Sequence, residues 1–173
     1  MSILSWLGLE RASHAGSHDD DVVRAIARQL AALDPAQARF IALFAFLLAR
    51  VANSDLDMSD IEARRMERTV ETWGGLTPAQ SALVVEMAKS QNRLLGDTQG
   101  YLVTRELRDH ATEDQKVAIL HALFAVAAAD DTISVREEET IRMIAQELLL
   151  TNEQYLWVRS SYTAKRAVMK PMS

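Results

Sequence analysis

LARVANSDLDMSDIE, residues 48–62, returns 75 residues later as LFAVAAADDTISVRE, residues 123–137. Leu48 meets Leu123, Val51 meets Val126, Ala52 meets Ala127, Asp55 meets Asp130, Met58 meets Ile133, Ser59 meets Ser134 and Glu62 meets Glu137. At a spacing of 74 residues, Leu76, Thr77 and Gln80 then align with Leu150, Thr151 and Gln154. Two copies of one helical unit account for both matches. In each copy a helix leads into an acidic turn, a charged helix and a threonine-capped helix, with one more helix ahead of them. The expected fold is all-α, with about eight main helices in two related four-helix halves around one core.

Composition supports that reading. The chain has 173 residues, 49% of them hydrophobic and 25% charged, which suits a globular domain with a real core. With only 6 glycines, 3 prolines and 6% aromatics, helices are favoured over strands. A formal charge of −5 and a pI near 5.4 argue against a nucleic-acid partner, which selects basic faces. The absence of cysteine excludes disulfides, thiolate catalysis and sulfur-ligated zinc, and fits a cytoplasmic protein. The apolar run FIALFAFLLA, residues 40–49, is about half the length that a bilayer crossing needs and reads as a central core helix.

The expected organisation has three parts: residues 1–20, 21–163 and 164–173. The first holds an apolar segment, Ile3 to Leu9, and a polar linker. Docking on the protein's own core is the simplest role for Ile3, Leu4, Trp6, Leu7 and Leu9; peripheral contact with a membrane interface and contact with a partner are the alternatives. The second part is the helical domain, with its repeats at about 21–94 and 97–163. The third is a basic tail with Lys165, Arg166 and Lys170.

The acidic turns allow two readings. One is a divalent-cation site formed by Asp55, Asp57 and Asp60 in the first copy and by Asp130, Asp131 and Glu137 in the second. A full EF-hand is excluded, because its first ligand position falls on Val51 and Val126, which have no side-chain oxygen. The other reading is structural. Ser59 with Glu62, and Ser134 with Glu137, have the S-x-x-E spacing of a capping box, and Met58 and Ile133 stand where an apolar staple belongs. Asp55 and Asp130 suit a tight turn.

The pattern A-x-A-D-x-x-I-S-x-x-E, here Ala127, Ala129, Asp130, Ile133, Ser134 and Glu137, resembles the tellurite-resistance TerB family over roughly residues 35–163. The same domain type forms the N-terminal part of a membrane-tethered DnaJ-like co-chaperone. The resemblance implies an all-helical fold of two related halves and a bacterial role in tellurite and other stress responses. It also implies metal binding by the acidic residues, and no catalytic activity. The glycine common after the turn aspartate is replaced here by Leu56 and Asp131. No J-domain follows, so a co-chaperone activity is not expected.

Other chemistry is sparse. His14 and His18, beside Asp19 to Asp21, read as a linker running into a capped helix. His110 falls at a helix end, and His121, inside AILHALFA, reads as a hydrogen-bonded core or interface histidine. Glu137 to Glu139 read as a solvated face paired with Arg136 and Arg142. Trp6, Trp73 and Trp157 are expected in the core. No phosphate loop, nucleophile elbow or HExxH motif occurs. The expected function is a non-enzymatic interaction or scaffold module with an unidentified protein partner and no resident cofactor. A divalent-metal sensor is the first alternative, and a carboxylate-metal hydrolase the second.

Overall fold

The computed structural model describes residues 18–52, 59–90, 100–130 and 132–165. Residues 3–9, Asp55, Asp57, Asp131, His14 and the tail beyond Lys165 lie outside them. Eight α-helices and no β-strand occur among the described residues: α1 His18–Ala31, α2 Pro35–Val51, α3 Asp60–Gly74, α4 Pro78–Lys89, α5 Gly100–His110, α6 Glu113–Ala127, α7 Val135–Glu147 and α8 Asn152–Ser160. Short 3-10 turns follow α6 at Ala128–Asp130 and α8 at Thr163–Lys165. Helix α1 starts at His18, inside the stretch read as linker.

Local chemistry sets most helix ends. Asp34 Oδ2 accepts from the amides of Ala36 and Gln37 at 3.0 and 3.4 Å, and Pro35 opens α2 where its missing N–H costs nothing. Capping boxes open five helices: Ser59 with Glu62, Thr77 with Gln80, Thr112 with Gln115, Ser134 with Glu137, and Thr151 with Gln154.

The halves interlock. Helix α2 is buried almost all round, packing on α1, α4, α5, α6 and α7, while α6 packs on α2, α3, α7 and α8. Each half therefore lays its second helix against the third helix of the other half, α2 on α7 and α6 on α3. Repeat-equivalent side chains fill equivalent places: Phe44 and Ile119, Met66 and Ile141, Val70 and Ala145, and Val84 and Val158 are all core residues. Such a core is shared, and neither half closes one alone.

The backbone repeats as well. Gly75 closes α3 with φ 62°, and Leu149, its equivalent at the 74-residue spacing, has φ 59°. Leu149 N–H reaches Gln146 O at 3.0 Å, and Leu150 N–H reaches Ala145 O at 3.0 Å, so a left-handed residue closes α7 too. The left-handed region costs a residue with a Cβ about 1–2 kcal/mol. Gly75→Ala is expected to lose about 1 kcal/mol of stability in urea unfolding, although no atom stands within 4 Å of the added Cβ. Leu149→Gly is expected to gain a smaller amount, since glycine's chain entropy offsets part of the relief.

Candidate functional site

Described residues that flank the two acidic stretches meet at one end of the molecule. Arg65 on α3 donates to Ala129 O in the second turn at 3.0 Å. Arg50 and Val51, which lead into the first turn, line a cleft of about 300 Å3 with Ser134, Arg136, Glu137 and Thr140 beyond the second. Asp60 is the exposed first residue of α3, and Asp130 ends the 3-10 turn after α6.

The glutamates there are engaged locally. Glu137 Oε2 accepts from Ser134 N–H at 2.8 Å and Ser134 Oγ at 2.6 Å, and Glu62 repeats this geometry with Ser59 at 2.8 and 2.7 Å. Those bonds from Ser59 hold the Glu62 carboxyl below the usual carboxylate range. Among the described residues, no three His, Asp or Glu side chains form a group that could hold a metal ion. Arg50 at this end is paired with Glu147 at 2.7 Å, and Arg65 is bound to Ala129 O.

A larger cleft of about 520 Å3 lies between the start of α2 and the ends of α3 and α5. Arg39, Phe40, Leu76, Leu107 and His110 are on its walls. At its rim His110 Nε2 is 3.2 Å from both Glu106 Oε1 and Arg39 Nη1.

The third feature is aromatic. His121, 6% exposed, has its ring stacked on Trp73 at 4.2 Å and 4°, and Trp157 meets that ring edge-on at 5.3 Å and 89°. Tyr162 stacks on buried Phe124 at 5.4 Å, and its hydroxyl donates to His121 O at 3.1 Å. Trp73 is 37% exposed and Trp157 62%. Both tryptophans thus depart from the expected core positions. On α8 the buried stripe runs through Tyr155 and Val158, which turns Trp157 outward.

His121 departs from expectation in another way: it is held by stacking, and its buried Nδ1 has no hydrogen-bond partner. The repeat offers a signal that points to this, since His121 is equivalent to Phe46, a core ring. Its ring neighbours Trp73, Trp157 and Tyr162 include no carboxylate to orient it as a general base.

Burial lowers the His121 pKa from its ordinary 6.5. The unfolded chain therefore takes up this proton at higher pH than the folded one. Stability from the neutral ring is complete above pH 6.5 and declines as pH falls through that value towards the lower folded-state pKa. His121→Phe, which keeps the stack, is expected to lose less melting temperature than wild type between pH 8 and pH 5.5; equal losses would remove His121 from the account.

Among the described residues, no helix is long and apolar enough to cross a membrane. A family model described as "Tellurite resistance protein TerB" matches residues 40–159, the span from α2 to the end of α8. No curated protein and no solved structure matches the chain.

Proposed function

The chain belongs to the TerB family of tellurite-resistance proteins, and from that premise we propose that it is a non-enzymatic helical module that binds another protein in a bacterial response to tellurite or a related stress. One observation carries the reading: Trp73 and Trp157 stand exposed on α3 and α8, held in fixed orientations against the ring of His121. Large aromatics fixed at a surface are the side chains on which protein interfaces concentrate their binding energy. The rigid helices beneath lower the entropy lost on docking.

The test is capture from a bacterial lysate by tagged full-length protein, beside a Trp73→Ala/Trp157→Ala variant that retains the helical circular dichroism of wild type. A defined set of proteins held by wild type and lost by the variant is expected. Equal capture by both would overturn the reading.

A divalent-metal sensor is the second reading, supported by the Arg65 bond to Ala129 O and by the smaller cleft, which bring residues that flank both acidic stretches together. Calorimetric titration of chelator-stripped protein with Ca2+, Mg2+, Mn2+ and Zn2+, beside Asp55→Asn/Asp130→Asn, decides it. Saturable heat that the variant loses would establish the sensor; flat titrations for both proteins would remove it.

A further inference from the structure

We propose that the Trp73–Trp157 face takes a basic, amphipathic segment of a partner protein, with its apolar side chains on the tryptophans and its cationic groups towards Asp114 and Glu153. This deepens the interaction reading and rests on it. The apolar half of this face is the exposed surface of Trp73, Trp157 and neighbouring Leu156, set in one region by packing of α3 and α8 on α6. The charged half comes from three helix ends beside that surface.

Glu153 lies one turn before Trp157 on α8, and Asp114 two turns before His121 on α6. Gln154 Nε2 reaches Glu113 Oε2 at 3.5 Å, which joins the first turns of α6 and α8 into one corner. Lys116 offsets Glu113 through a 2.7 Å ion pair, whereas Asp114 and Glu153 enter no ion pair among the described residues. The starts of α6 and α8 contribute about half a positive charge each, which leaves the corner negative by about one charge. Helix α3 adds to this field: it ends beside Trp73 with no basic residue in its last turn, so the negative end of its dipole is not offset there. A guanidinium fits such a place, since it can lie over an exposed indole face and meet a carboxylate at once.

The buried Nδ1 of His121 is the second mark of a binding face. A polar atom closed off without a partner is costly in a core, yet here it lies directly under the exposed rings.

The probe is a synthetic amphipathic peptide with leucines on one helical face and arginines on the other, titrated into full-length protein and followed by tryptophan emission and calorimetry. Saturable binding is expected, weakened about tenfold or more by Trp157→Ala. Asp114→Asn/Glu153→Gln should also weaken it, and Glu139→Gln should not. The same peptide with glutamate for arginine should not bind. Equal binding of both peptides, equal binding by the Trp157→Ala variant, or no binding would overturn the proposal. A dimer of this chain that Trp157→Ala dissolves would put a second copy on the face and overturn it too. If lysate capture depends on the tryptophans while the basic peptide fails to bind, only the partner chemistry is wrong; if both fail, the interaction reading falls with it.

Discussion

Phe44→Ala is expected to lower the free energy of unfolding by about 3–5 kcal/mol, a large share of what a domain of this size has. Phe44 is fully buried on α2, where the two halves share their core, and its ring packs tilted against Phe40 at 5.9 Å. A Cβ placed on Gly74 would come within 2.9 Å of Phe44 Cε1, so the end of α3 closes directly on this ring. The loss thus combines transfer of a phenyl ring with an unfilled cavity. Gly74→Ala alone is expected to cost about 1–3 kcal/mol, because a buried ring cannot yield as the end of a flexible chain can. In the double variant the added methyl enters the vacated space, and the combined loss should fall short of the sum of the two. Urea unfolding of the four proteins measures this. Strict additivity would mean that the end of α3 does not close on the centre of α2.

The second large effect is at the seam between α2 and α7. Arg50 grips Glu147 with two hydrogen bonds, 2.7 and 3.3 Å, and also donates to Thr104 Oγ1 on α5 at 3.1 Å. The side chains of Arg50 and Glu147 are 19% and 23% exposed. Water screens the pair in part, so Arg50→Ala is expected to cost about 2 kcal/mol rather than the 3–5 kcal/mol of a fully buried pair. Most of that cost is the carboxylate of Glu147 left half-buried without its guanidinium. Arg50→Met/Glu147→Leu is accordingly expected to recover most of the loss, because matched apolar groups leave no charge behind. A melting point lowered by about 4–8 °C in the single variant and largely restored in the double one is the expected pattern. A double variant worse than the single one would show that the pair stabilises the seam directly.

The sequence was most informative where interactions are local. Ser59 with Glu62, and Ser134 with Glu137, lie three residues apart, so their hydrogen bonds follow from spacing alone once a helix starts there. The repeat made the two-halved architecture legible, because Met66 and Ile141 need the same surroundings. The left-handed closure at Leu149 was not legible, since no residue-type signal marks it and only the backbone shows it to match Gly75.

What stayed hidden depends on distant partners. Glu138 reads as the neighbour of Arg142 on an exposed face, yet Arg159, 21 residues away, binds it at 2.6 Å. Arg50 and Glu147 are 97 residues apart, and no local pattern joins them. The aromatic face escaped for a related reason. Tryptophan is expected inside on hydrophobicity, and only the register of Tyr155 and Val158 shows that Trp157 points away from the core. His121 reads as a polar residue seeking hydrogen bonds until its equivalence to Phe46 and its stack on Trp73 are seen together.

Oxidative footprinting of the full chain, free and in complex with the proteins it captures, tests the central claim most directly, since indole oxidation reports solvent access one side chain at a time. The account predicts strong labelling of Trp157 and weaker labelling of Trp73 in the free protein, with both protected in the complex. Unchanged labelling of both tryptophans in a complex that protects the acidic turns or the larger cleft would contradict it.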